Sequence, residues 1–145
     1  MSYIEFTLRL LTALGAGMLI GIERELLNKP AGLRTNTLVA IGASLFVLLS
    51  LKLTQDNGDA TRIIGQVVVG VGFLGAGLIF KEGSDVYGLT TAATVWCSAA
   101  VGSLAGAGYY IETLIGVSAI VLVNHLLIKV DKWLEKKKIK PRKVK

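Results

Sequence analysis

The chain has 145 residues, 52% hydrophobic and only 18% charged, with seventeen glycines, two prolines and a formal charge of +6. The last 17 positions, from Lys129, carry nine basic and two acidic residues, a net of +7, while residues 1–128 carry a net of −1. A nucleic-acid-binding domain spreads its basic charge over a face of the fold, so that class is excluded, and the long uncharged runs exclude a soluble globule.

Five apolar stretches follow one another, at about 6–22, 37–53, 63–80, 89–107 and 109–128, separated by short polar segments. A transmembrane helix needs about 20 mostly apolar residues. Strands usually have about 3 to 10, so the valine- and isoleucine-rich third and fifth stretches also read as helices. The expected fold class is an all-α membrane protein of five transmembrane helices. Residues 1–128 form the transmembrane domain and 129–145 a basic tail.

The first stretch begins with Glu5 and Arg9, one turn apart, which reads as an ion-paired interfacial anchor. The start has no basic region and no small-residue cleavage site after the span, so the first helix is expected to be structural and not a removable signal. It contains Gly17-x-x-x-Gly21 and closes with Glu23-Arg24-Glu25. The loop Pro30-Ala31-Gly32-Leu33-Arg34-Thr35 leads through Asn36 into the second stretch. Asp56 and Asp59 precede the third stretch, with Asp59 placed as a helix N-cap, and Arg62 and Gln66 share one face of it. Gln66, inside the hydrocarbon, should find a partner in the bundle.

Gly70-x-Gly72-x-x-Gly75 matches a dinucleotide fingerprint, but it lies inside an apolar run and has no acidic residue about 20 positions on, so it is read as packing. Gly72, Gly75 and Ala76, with Gly17 and Gly21 and with Gly102-x-x-x-Gly106 in the fourth stretch, are expected at close helix contacts, within one chain, in a homodimer or homo-oligomer, or against a partner protein. The lone Cys97 reads as a small apolar group. His125, beside Asn124 in the fifth stretch, has no second histidine and no metal-ligand spacing around it, so no transition-metal site is expected and the metal stays unassigned. Ser98 and Thr91 lack a base at any recognisable spacing, so no enzyme activity and no cofactor are expected.

Lysine and arginine set the orientation. With the tail cytoplasmic and the N-terminus outside, thirteen basic residues fall inside and three, Arg9, Lys52 and Arg62, outside. Leu14-Gly15-Ala16-Gly17 is echoed by Leu74-Gly75-Ala76-Gly77 at an offset of 60, and Gly32-Leu33-Arg34-Thr35 by Gly88-Leu89-Thr90-Thr91 at an offset of 56. This reads as a duplicated helical hairpin, both copies pointing the same way, with a fifth helix added. If the hairpins pack together, Glu23, Arg24, Glu25, Arg34, Thr35, Asn36, Thr90 and Thr91 form a cytoplasmic polar cluster, able to brace the loops or to meet an ion or a partner helix. Asp59, Arg62 and Gln66 form a second polar site on the outer face.

Gly-Ile-Glu-Arg-Glu (21–25), Pro-Ala-Gly-Leu-Arg-Thr (30–35), Gly-Phe-Leu-Gly-Ala-Gly (72–77), Gly-Leu-Thr-Thr-Ala-Ala (88–93) and Trp-Cys-Ser-Ala-Ala-Val-Gly (96–102) resemble, in order, the motifs of the MgtC/SapB membrane proteins. The resemblance covers about residues 8–128. It implies a multi-pass protein of the bacterial inner (plasma) membrane, linked to magnesium homeostasis and growth in low magnesium and, in pathogens, to virulence. Some members of that family are regulators of other membrane proteins, the ATP synthase among them, although the family is often labelled as magnesium transporters. The family's Asp-Pro-x-Arg turn stands here as Asp59-Ala60-Thr61-Arg62, and many members carry a soluble C-terminal domain where this sequence shows a short basic tail. Two functions follow as expectations. One is a regulator whose partners are the lipid bilayer and other membrane proteins, with no nucleic acid. The other is ion transport, with Mg2+ or another cation as the ion. Every acidic residue lies at or beyond a span end, and charged groups deep in the spans would mark an ion path, which weighs toward regulation.

Overall fold

The computed structural model describes residues 1–54, 59 and 61–138. The described chain forms α1 (Tyr3–Leu26), α2 (Leu33–Leu53), α3 (Thr61–Ala76), a small antiparallel ribbon of β1 (Phe80–Glu82) and β2 (Asp85–Tyr87), α4 (Leu89–Ala107) and α5 (Tyr110–Lys138). Four of these helices are long and apolar enough to cross a membrane: α1, α2, α4 and the Tyr110–Ile128 part of α5. The fifth helix, α3, is also apolar but has 16 residues, about 24 Å at 1.5 Å per residue.

The stretch expected to be helical from 63 to 80 therefore ends early, at Ala76. Gly77, Leu78 and Ile79 close the helix with short-range bonds to Phe73, Gly75 and Ala76 carbonyls. The chain then turns through Gly83 (φ 60°) and Ser84, pairing Phe80 with Tyr87 and Glu82 with Asp85. Glycine at the first of two turn positions is what a II′ hairpin requires. Phe80 and Tyr87 stack with ring centroids 5.5 Å apart. At the other end of the chain, α5 continues past Ile128 to Lys138, no glycine or proline lying between Ile128 and Pro141. Asp56 and the tail beyond Lys138 lie outside the described residues.

The helix ends follow local chemistry. Ser2 caps α1 by accepting from the Glu5 N–H at 3.1 Å. Gly88, with φ 87°, turns the chain into α4, and a Cβ there would lie 1.9 Å from the Leu78 carbonyl oxygen. Gly108, with φ 90°, ends α4, its N–H bonding Ala105 while the Tyr109 N–H bonds Leu104, the pattern of a left-handed C-terminal cap.

α2 and α4 pack along most of their length, α1 lies against both, α3 lies mainly on α4, and α5 covers α1 and α4. The buried positions are mostly small: Ala13, Ala16, Ala40, Ala43, Ala92, Ala99 and Ala105. Between them sit two clusters. Ala43, Val67, Val71, Val95 and Ala99 join α2, α3 and α4, and Ala16, Ile20, Val101 and Val117 join α1, α4 and α5. Larger apolar side chains such as Leu11, Leu19, Phe46, Phe73 and Leu114 face outward.

Glycine placement explains the tight centre. A Cβ on Gly102 would lie 2.2 Å from the Ala40 carbonyl oxygen, and on Gly106, 2.8 Å from that of Ser44. On Gly17 it would meet Thr37 Cα at 2.7 Å, and on Gly21, Leu33 Cα at 2.6 Å. Gly75 makes an ordinary contact with Ala92, 3.7 Å away. Gly72 departs from expectation: it is exposed, with nothing within 4 Å of the built Cβ, because the inward face of α3 runs through Val67, Val71 and Gly75. Gly102→Ala should therefore destabilise the bundle by about 3 kcal/mol, the upper end for overpacking, whereas Gly72→Ala should be neutral or gain up to about 1 kcal/mol from helix propensity. Thermal unfolding of the two variants in detergent checks both.

Candidate functional site

The α1–α2 loop, the end of α3 with its hairpin, the start of α4 and the middle of α5 all meet around one cleft of about 810 Å³. The α1–α2 and α3–α4 connections thus lie at the same end of the bundle. The polar side chains lining the cleft are Glu23, Arg24, Lys29, Thr90, Thr91 and Asn124, and Leu78, Phe80, Val86, Tyr87 and Leu127 form much of its apolar wall.

Arg24 organises the basic side. It stands in the last turn of α1 and is 3% exposed. Its Nη2 donates to Thr91 Oγ1 at 2.7 Å and to the Pro30 carbonyl at 2.9 Å, so one guanidinium ties the loop to α4. Its Nε is buried with no acceptor. Glu25 points to the loop instead, where its Oε2 accepts from the Leu33 N–H at 3.1 Å and caps α2. Gly32 leaves room for this cap, since a Cβ there would lie 1.9 Å from Glu25 Oε2.

Glu23 turns toward α5. Its Oε2 accepts from Asn124 Nδ2 at 3.4 Å, and its Oε1 is buried without a donor. Asn124 Oδ1 in turn lies 3.4 Å from the Thr94 hydroxyl, which also donates to the Thr90 carbonyl at 2.8 Å. A second polar knot lies deeper. Asn36, fully buried, donates to the Ala31 and Gly32 carbonyls and accepts from Ser98 Oγ at 2.8 Å.

Of the residues expected in the cluster, Glu23, Arg24, Thr90 and Thr91 line the cleft, while Glu25 and Asn36 brace the loop beside it. Arg34 and Thr35 do not join: both are exposed, because α2 turns Asn36 and Ala40 inward and so directs its preceding two residues away from the bundle. Asn124, Thr94 and Ser98 join this polar network although the sequence reading gives them no place in the cytoplasmic cluster. For Thr94 and Ser98 the signal lies in spacing, since Thr91, Thr94 and Ser98 recur at three and four residues and continue into Gly102 on the buried face of α4. His125, next to Asn124, is exposed.

At the opposite end Arg9 is a cap, where the sequence suggested an anchor. Its side chain is 16% exposed and ion-paired with Glu5. Its Nη1 donates to the Gly106 carbonyl at 3.0 Å, placing a cation at the negative end of α4, over the bare Cα of Gly108.

Asp59, Arg62 and Gln66 do not converge. Asp59 accepts from the Thr61 N–H at 2.9 Å and from its hydroxyl. Arg62, exposed, contributes its backbone N–H to the Asp59 carbonyl at 3.4 Å. Gln66 is also exposed and lacks a hydrogen-bond partner among the described residues; it lines an apolar groove of about 510 Å³ between α2 and α3, together with Gly42, Phe46 and Gly70. The reason is again helical phase, since Val67 and Val71 take the inward face. Among the described residues no group of three or more histidine, cysteine, aspartate or glutamate side chains converges.

Two outcomes follow. Ser98→Ala strips the donor from buried Asn36 Oδ1 and should cost about 1–3 kcal/mol, measurable by unfolding in detergent. The Thr61 hydroxyl, then its N–H, hold the Asp59 carboxyl below the usual carboxylate range. A depressed value in the fold means that the cap's contribution is present above the ordinary aspartate pKa and is lost as pH falls through the depressed one. Amide exchange at the start of α3 should speed up on acidification, and Asp59→Asn should flatten that dependence.

The sequence profile of the MgtC family matches residues 10–133. An uncharacterised protein of Synechocystis is 52% identical over 124 residues, covering 86% of this chain and 53% of its own length. Protein MgtC of Brucella abortus is 55% identical over 111 residues, covering 77% of this chain and 46% of the relative. Protein MgtC of Salmonella typhimurium is 48% identical over 122 residues, covering 84% and 52%. The chain thus spans about half the length of the curated relatives it matches. No solved structure matches it. With most of its length inside the family profile and half its aligned residues shared with proteins called MgtC, the chain belongs to the MgtC family.

Proposed function

We propose that this is a multi-pass protein of the bacterial inner membrane, tied to magnesium homeostasis and low-magnesium adaptation, that works by binding and regulating other membrane proteins and catalyses no reaction. In this reading all five helices span the bilayer as two parallel hairpins plus α5. The N-terminus lies outside, and the cytoplasmic side carries the cleft and the basic tail. The orientation rests on the distribution of lysine and arginine between the two sides.

The observation that carries the regulatory reading is the α2–α3 groove. It is apolar, about 510 Å³ in volume, and holds one amide, that of Gln66, with no partner among the described residues. An unpaired amide facing hydrocarbon is costly, and side-chain amides join helices within membranes. The occupant this favours is a transmembrane helix of another protein carrying a hydrogen-bonding side chain. A second reading, passage of Mg2+ or another cation, is favoured by one feature, the Glu23 carboxylate at the cleft.

Two measurements separate the readings. Proteoliposomes holding only the purified protein should show no magnesium flux above protein-free vesicles; flux would establish transport. A photocrosslinker at position 66 should capture a discrete membrane protein, and capture of lipid alone would end the docking reading.

A further inference from the structure

The cleft contains a buried cation with no carboxylate in hydrogen-bonding contact among the described residues, although Glu23 lines the same cleft. Arg24 is 3% exposed, its Nη2 is held only by neutral oxygens of Pro30 and Thr91, and its Nε has no acceptor at all. Among the described residues the ion pair within 4 Å is that of Arg9 and Glu5, at the other end of the bundle. Glu23 precedes Arg24 in sequence but turns its Oε2 to Asn124 on α5, while Arg24 turns to α4. A guanidinium whose hydrogen-bond acceptors are all neutral gains from a counter-charge brought into contact with it in a low-dielectric site.

Apart from Glu23, the charges around Arg24 have the same sign. Lys29 lines the cleft from the loop. α4, 19 residues long, starts at Gly88 with no side chain capping it, and its first residues, Leu89, Thr90 and Thr91, line the same cleft. The free N–H groups of a helix start, with the positive end of the dipole behind them, bind anions. Two cations, an open helix N-terminus and one carboxylate leave the cleft with a positive balance, and its aromatic wall of Phe80 and Tyr87 suits a group at the lipid interface.

We propose that this cleft binds a phosphate-class anion, carried by a phospholipid headgroup or free in solution, with Arg24 and the start of α4 as the anchor and Lys29 as the outer contact. None of the residues involved lines the α2–α3 groove, so the proposal stands apart from partner docking.

The test uses the full chain purified in a non-ionic detergent. Inorganic phosphate is titrated calorimetrically, and phosphatidylglycerol by native mass spectrometry against diacylglycerol as the uncharged control. Saturable one-site binding is expected in at least one arm. Binding of phosphate alone assigns the site to a free anion, of the lipid alone to a headgroup, and either result or both supports the proposal. Lys29→Gln should weaken binding about fivefold, the effect of one basic contact at a membrane surface, and Glu23→Gln should strengthen it by removing the opposing charge. Arg24→Gln should abolish it; because Arg24 also ties the loop to α4, the Lys29 and Glu23 variants decide the matter if that protein misfolds. No saturable binding in either arm, or binding indifferent to both Lys29→Gln and Glu23→Gln, overturns the proposal.

Discussion

The bundle rests on the approach of two backbones. α2 and α4 come close enough that Gly102 lies directly on Ala40 and Gly106 on Ser44. Hydrocarbon offers no hydrophobic force between helices, so close dispersion contact has to hold them. That contact needs hydrogen in place of a side chain at the crossing. α1 repeats the device against α2 through Gly17 and Gly21. Once these three helices are locked, the centre is filled by alanine and valine with Ile20 and Leu48, and many of the bulkier apolar side chains lie on the outside.

Close packing also sets where polar groups can go. Asn36 and Ser98 meet at the same α2–α4 interface, and Arg24 and Thr91 meet between α1 and α4. Each pair gives a hydrogen bond to a side chain that hydrocarbon would not solvate, and each fixes which residues of the two helices stand opposite one another. Arg9 does related work at the far end, on the carbonyl of Gly106. α4 is thus held at its first turn by one arginine of α1 and at its last turn by another, a clamp built from residues 15 positions apart on a single helix.

α3 escapes this scheme. It is the shortest helix, packs mainly on α4, and leaves a groove against α2. Where α1 runs on nine residues past Gly17, α3 stops one residue before the matching Gly77 and gives way to a hairpin. The two halves of the repeat share their glycine helix starts, Gly32 and Gly88, but only the second half replaces helix with ribbon. That exchange brings Phe80 and Tyr87 to the cleft and leaves it open beside Arg24. Structural irregularity and the candidate site coincide.

The sequence by itself determined the helices, their order, the family and most of the packing glycines, because apolar run length and residue size are local properties. It also placed Glu23, Arg24, Thr90 and Thr91 together, since the internal repeat implies that the two loops share one end. It missed the hairpin, whose strands are only three residues each, and it placed Arg34, Thr35, Gly72 and Gln66 on the wrong faces. Those errors have one cause. In a membrane both faces of a helix meet apolar surroundings, so a small or polar residue does not by itself mark the inward side, and the tertiary contacts decide which side turns inward. The partnerships of Arg9 with Gly106, Asn124 with Glu23 and Ser98 with Asn36 span 62 to 101 residues of sequence, and only the packed bundle brings such groups within hydrogen-bonding reach.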